Sequence, residues 1–280
     1  MQSCVERGLD LVIKVGGATG ISYGGFADDL ASIVRGRPGG GLRVVVVHGG
    51  SHEANTLGEL LGKPARFITS PSGHVSRRTD REAMEIMMMA VAGRVNKILV
   101  EHLQRSGLNA IGLSGMDGRL LLASRKTAVK YVENGKTRVL RDDLSGKVEK
   151  VNAPLVSMLV DAGCVPVVSP LAISLAGEPL NVDADRCAAA IAGAFRAERL
   201  IILSNIPGLL RDPSDTGTLV RLIPARSLAA FEQYATGRMK KKLVAAAEAL
   251  EGGVEEVVIG DARVERPVRH AMSGGGTMIR

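Results

Sequence analysis

Two lysines and an aspartate, far apart in the chain, carry the residue types needed to move a phosphoryl group. Lys14 lies inside LVIKVGG (11–17), an apolar run that ends in a glycine turn. Lys242 ends GRMKKK (237–242), and between them NVDAD (181–185) sets an asparagine and two carboxylates at alternating positions. In-line phosphoryl transfer asks a protein mainly for positioning and for charge that meets a spreading negative charge. Two cations, a carboxylate able to hold them and glycine loops meet that need. No Cys-x-x-Cys pair, metal-ligand spacing or nucleophilic triad competes with this set.

Each motif has a local reading and a plainer one. Gly16, Gly17 and Gly20 follow a predicted strand and precede a helix, so bare backbone N–H groups can approach phosphate oxygens. The spacing fits neither the dinucleotide fingerprint nor the P-loop. The plainer reading is a strand-end lysine reaching water, although an ammonium inside an apolar strand is costly to bury. HGGS (48–51) repeats the glycine logic after a second strand, and His48 reads as structural. Two such loops at neighbouring strand ends face one crevice in an open α/β sheet. Arg77, Arg78 and Arg81 gather around a helix start that Thr79 or Asp80 can cap. One of these arginines can clamp a carboxylate. Asp185 could hold both lysines, or the NVDAD aspartates could simply cap the alanine-rich helix that follows. Three lysines at the start of a helix oppose its dipole. They suggest a bound anion, or else an exposed run of charge.

The elements that must position these groups alternate. Strands are expected at 11–15, 42–48, 164–170, 199–204 and 255–260, most of them apolar on both faces. Helices are expected at 26–35, 52–62, 80–106, 153–163, 184–196 and 237–251. This alternation predicts an α/β fold, a three-layer αβα sandwich around an open, mostly parallel sheet. Asn134-Gly135 inside TAVKYVENGKTRVLR (127–141) predicts a projecting β-hairpin. PGGG (38–41) reads as a plain turn. A soft boundary near 171–180 divides the chain into lobes 1–175 and 176–280; a single continuous sheet is the alternative.

Composition narrows the classes. The 280 residues suffice for a sizeable core. Only 2% are aromatic, so aliphatic side chains must fill that core, and base-stacking nucleic-acid modules are disfavoured. The formal net charge of +7 favours an anionic partner. Cys4, Cys164 and Cys187 are isolated, as expected in a reducing cytoplasm. Asp10 and Lys14 interrupt the first apolar run, which argues against a signal peptide, and no uncharged stretch is long enough to span a membrane.

The ordered set VIKVGG, VVHGG, SRRTD, GLSGMDG, GKVEKVN, NVDAD, LSNIPGLL, GRMKKK and a terminal GTMI resembles the amino acid kinase superfamily, in its acetylglutamate kinase branch. HGGSHEAN, GHVSRRTDR, RKTAVKYVENGK and GRMKKK look most like its carrier-linked members in lysine biosynthesis. The resemblance implies ATP-dependent phosphorylation of a side-chain carboxylate, with Mg²⁺ arriving on the nucleotide and no dedicated metal cage. The acid would be 2-aminoadipate, or glutamate, on a small acidic amino-group carrier protein of the LysW type. Free N-acetylglutamate, in arginine biosynthesis, is the alternative. Lys14 and Lys242 match the cations on the transferring group, and Asp185 the aspartate that organises them. Gly50, Ser51, Arg77 and Asn181 match acid-substrate positions. Gly16 and Gly17, with Ser204, Asn205, Gly208 and Leu209 of SNIPGLL, match nucleotide positions. The first lobe would bind the acid and form a homodimer, and the second would bind ATP. Arg77, Arg78, Arg81, Arg125, Lys126, Lys130, Lys136 and Arg138 are the expected carrier-docking cations.

Overall fold

A computed structural model describes residues 8–17, 20–37, 41–73 and 75–280. Cys4, part of the first glycine turn (18–19), His74 and most of PGGG lie outside the described residues.

The centre is an eight-stranded sheet in the order 222–223, 277–279, 256–261, 199–204, 11–15, 44–48, 165–169, 110–114. The six strands from Glu256–Asp261 to Ala110–Ser114 are parallel, and Thr277–Ile279 runs antiparallel to Glu256–Asp261. Leu11–Val15 and Val44–His48 are buried throughout, so both faces of the sheet must be covered. Alternation divides their side chains. Leu11, Ile13, Val15, Val44 and Val46 pack against Tyr23–Arg35, Asn96–Arg105 and Pro267–Met272. Val12, Val45 and Val47 face Ala153–Asp161, Ala184–Ala194 and Arg238–Glu251. The result is the expected αβα sandwich. Each fully buried aliphatic side chain contributes about 1.5–3 kcal/mol to it.

A second sheet, ordered 179–181, 171–173, 121–125, 146–151, sits beside the first. Sequence reasoning missed it, because these strands are short and half exposed. It also missed Ala110–Ser114, whose Gly112 reads as a breaker. Here the glycine makes room: a Cβ at Gly112 would lie 2.1 Å from Asn96 Oδ1. The predicted hairpin is present as Val129–Glu133 paired with Lys136–Leu140. Asn134 (φ 49°) and Gly135 (φ 73°) both turn left-handed, as a two-residue hairpin loop requires. A further ribbon, Phe67–Thr69 with Val75–Arg77, lies against the hairpin.

The expected 80–106 helix is continuous but not uniform. It runs as α over Arg81–Met87, as π over Met88–Val95 and as α again over Asn96–Arg105. Asp80 caps its start by accepting from Ala83 N at 3.0 Å. Among the described residues no helix is long and apolar enough to cross a membrane.

Candidate active site

Lys14 is the fourth residue of a five-residue strand, in register with Val47 and Ile202. Period-2 alternation puts its side chain on the Val12 face, toward the helices that carry Asp185 and Lys242. Asp183 is the cap of the first of these helices, accepting from Asp185 N at 3.0 Å and Arg186 N at 3.2 Å. The two readings of NVDAD therefore fall to two different aspartates. Capping belongs to Asp183, and Asp185 in the first turn is left to meet the lysines.

That meeting is close. Lys14 Nζ lies 2.8 Å from Asp185 Oδ1, and Lys242 Nζ lies 2.8 Å from Asp185 Oδ2. All three residues are buried. Burial pulls the Asp185 carboxyl up, but the two ammonium groups outweigh it and hold the acid far below the usual carboxylate range. Burial, and then the Lys14 charge, lower Lys242 against the pull of Asp185. Two cations around one anion leave a surplus of positive charge there, suited to an incoming anion.

The helices of Asp185 and Lys242 run side by side in the same direction. Their carboxyl ends touch at Gly193 and Gly252, where a Cβ on Gly252 would lie 2.8 Å from Gly193 Cα. Arg186, next to Asp185, bonds Glu248 of the partner helix through Nε at 2.8 Å and again through Nη2. Sequence reasoning missed this staple. The only signal for it was an arginine interrupting an alanine-rich stripe.

The two glycine loops lie backbone to backbone. A Cβ on Gly17 would stand 2.8 Å from Gly50 N, and one on Gly50 would stand 2.9 Å from the Val91 methyls. Gly16 N donates to Leu203 O at 3.0 Å. Gly50 precedes the helix Ser51–Leu60, which has no side-chain cap, so its first N–H groups remain for an anion. Arg77 is brought to this helix: Nη2 donates to Ser51 O at 3.2 Å and to Asn55 Oδ1, and the guanidinium lies over the Phe67 ring. Asn181 Nδ2 donates to Thr79 Oγ1 at 3.0 Å, linking the NVDAD strand to the Arg77 segment. Thr79 was expected only as an alternative cap, a role that Asp80 takes; it is buried and instead bonds Asp143 and Leu144.

SNIPGLL follows Arg199–Ser204 at the same edge of the sheet. Gly208 (φ 151°) has Thr277 Oγ1 2.5 Å from where its Cβ would be. Leu209 is buried, and its N–H donates to Thr277 Oγ1 at 2.8 Å. Leu209 thus anchors the loop, while Asn205 is exposed and Ser204 lies at the strand end. Among the described residues no cluster of His, Cys, Asp and Glu could hold a metal ion. Asp185 is engaged by both lysines, so a divalent ion would be held mainly by phosphate oxygens.

The expected docking cations separate. Arg125 bonds Asp143 O, Glu178 Oε1 and Arg141 O, so it ties the second sheet together and is not free for a partner. Arg78 pairs with Asp142 at 2.7 Å, and Arg81 with Glu85 at 2.9 Å. Arg138 pairs with Glu133 across the hairpin. Lys126, Lys130 and Lys136 are exposed, with no ion pair among the described residues.

The model of the amino acid kinase family matches residues 11–261. The chain is 52% identical to the [LysW]-aminoadipate kinase of Thermus thermophilus, over 96% of this chain and 100% of that one. It is 51% identical to the protein of that name in Deinococcus radiodurans, over 99% and 93%. The N-acetylglutamate synthase structure from Neisseria gonorrhoeae superposes with a TM-score of 0.77 at 25% identity, covering 98% of this chain and 60% of that longer one. The chain belongs to the amino acid kinase family.

Proposed function

We propose that the protein uses ATP to phosphorylate the side-chain carboxylate of 2-aminoadipate, or of glutamate, whose amino group is blocked by attachment to a small acidic carrier protein of the LysW type. The product is an acyl phosphate for lysine or arginine biosynthesis in the cytoplasm. The observation that carries this reading is the buried Lys14–Asp185–Lys242 arrangement, in a chain about half identical to kinases of that name.

Lys14 and Lys242 stand on opposite sides of Asp185, so both can bear on a phosphoryl group above it. Their charge counts most when negative charge spreads over the oxygens in the transition state. Asp185 keeps both cations in place. The N–H groups from Gly17 and Gly50–Ser51 bind oxygens of the nucleotide and the acid, while the Gly16 N–H is taken by Leu203 O. Arg77 takes the α-carboxylate and Asn181 assists. Ser204, Asn205 and Gly208 shape the nucleotide side, with Leu209 as anchor. Mg²⁺ travels with ATP and offsets phosphate charge.

Residues 1–175 form the acid-binding lobe and residues 176–280 the ATP lobe. The strand of Lys14 is the first lobe's strand next to Arg199–Ser204 of the second. The acid lobe also supports a homodimer, for which exposed Met89 and Leu61 are available. The carrier docks on the hairpin side, at Lys126, Lys130 and Lys136, by charge complementarity.

The test is ATP-dependent acyl-phosphate formation trapped with hydroxylamine. Carrier-linked aminoadipate, carrier-linked glutamate and free N-acetylglutamate are offered separately. Turnover with the carrier forms is the expected result. Turnover with N-acetylglutamate alone overturns the reading in favour of an acetylglutamate kinase.

A further inference from the structure

His48 ends the strand that feeds the HGGS loop and is fully enclosed. Both ring nitrogens are bonded: Nδ1 to Gly49 O at 2.7 Å, and Nε2 to Asn96 Nδ2 at 3.1 Å. The Asn96 amide is oriented by other contacts. Its Nδ2 also faces Val167 O at 2.9 Å, and its Oδ1 accepts from Lys97 Nζ at 3.2 Å. An amide nitrogen only donates. Nε2 of His48 is therefore the acceptor, and Nδ1 carries the proton and donates to Gly49 O. Burial, with the charges of Lys14 and Lys97 nearby, lowers the imidazole to about 4 despite the bond to Gly49, so the ring is neutral.

Gly49 is held on its other side as well, because its N–H donates to Val15 O at 3.0 Å. No peptide among the described residues is cis. The Gly50 N–H therefore leaves opposite to the Gly49 carbonyl, away from the imidazole. Gly50 N lies against the first loop, 2.8 Å from where a Cβ on Gly17 would be.

We infer that His48 and Asn96 are positioning residues that fix the plane of the Gly49–Gly50 peptide, so that the Gly50 N–H is presented between the two glycine loops to an anionic oxygen of the reacting groups. The inference rests on the phosphotransferase reading above. Asn96 sits at a core position of its helix, three and seven residues before buried Leu99 and Leu103. An apolar residue would fill that place unless the amide were needed. The Asn96 N–H bonds to Val91 O at the end of the π-helical stretch.

Two measurements test it. The five histidines permit ring ¹⁵N spectra of the intact protein, with His48→Asn assigning the signal. His48 should be the Nδ1–H tautomer; an Nε2–H ring overturns the inference, because Nδ1 could not donate to Gly49. The second is kinetic. His48→Leu and Asn96→Leu should lower kcat roughly 10- to 100-fold, a part of the loss expected for one transition-state donor. KM for ATP should stay within about threefold. His48→Asn keeps a donor near the Nδ1 position and should retain kcat to within about fivefold. Wild-type kcat in a folded His48→Leu variant, or equal losses in the Asn and Leu variants, overturns positioning. Should His48→Leu not fold, Asn96→Leu and His48→Asn carry the same comparison. Should the wild type phosphorylate none of the three acids, the functional reading falls, while the tautomer still decides whether His48 holds the peptide.

Discussion

Replacing Asp185 with asparagine keeps the size of the side chain and removes the one charge between two buried ammonium groups. Both ion pairs are 2.8 Å long and all three residues are buried. Removing one partner of a buried ionic cluster costs about 3–5 kcal/mol, because the remaining charge is left uncompensated. In a chain this long each kcal/mol moves the melting temperature about 2–4 °C, so Asp185→Asn should melt roughly 10 °C lower. Part of the cost is relieved when Lys242, already depressed by burial and Lys14, gives up its proton. The variant should therefore regain stability as pH rises through the alkaline range in which Lys242 loses its proton. The wild-type dependence has the opposite origin. Asp185 has a depressed pKa, so its contribution is complete above the ordinary carboxylate value and is lost as pH falls below it. Turnover should fall roughly 100- to 1,000-fold, since a neutral or displaced lysine no longer meets the phosphoryl charge. Calorimetry across pH, together with hydroxylamine trapping, reads both effects. An Asp185→Asn enzyme with wild-type melting and wild-type kcat would refute the electrostatic argument.

Lys14→Ala and Lys242→Ala should each lower kcat about 100-fold or more while KM for ATP changes only a few-fold, because each cation acts mainly on the transition state; steady-state kinetics with unchanged kcat removes the assignment. Joint reversal of Lys126, Lys130 and Lys136 to glutamate should raise KM for a carrier-linked substrate about tenfold, at roughly 0.5 kcal/mol per exposed charge. ATP titration should be unaffected, and unchanged carrier kinetics moves docking off the hairpin. Arg186→Met and Glu248→Gln should each reduce kcat about three- to tenfold by loosening the pair that aligns the Asp185 and Lys242 helices, and the double variant should be no worse than either single one; additive losses would show that the two residues act separately.

Local patterns in the sequence carried the architecture. Short apolar runs at 11–15, 42–48 and 199–204 predicted the central strands Leu11–Val15, Val44–His48 and Arg199–Ser204, because a strand covered on both faces has no polar side to disguise it. Asn134-Gly135 predicted its turn because only a left-handed pair joins twisted strands so tightly. Lys14 and GRMKKK stood out because each breaks the rule of its element, a cation in a buried strand and cations at a helix start, and NVDAD stood out for an asparagine and two carboxylates at alternating positions.

What those residues do to one another was decided only in three dimensions. Nothing in NVDAD separates Asp183 from Asp185. Helix geometry gives capping to the first, and the face of the Lys14 strand gives the ion pairs to the second. The sequence shows Arg125 as one more exposed-looking cation. The second sheet surrounds it with Asp143, Glu178 and Arg141, residues 16 to 53 positions away, and makes it structural. The sequence shows His48 as a strand-end histidine. Contact with Asn96, 48 residues on, fixes its tautomer and, through it, a peptide of the glycine loop. Local sequence determines which backbone forms, since propensity and patterning act over a few residues. Partner, protonation and orientation depend on groups brought close across long stretches of chain, and only the tertiary structure supplies them.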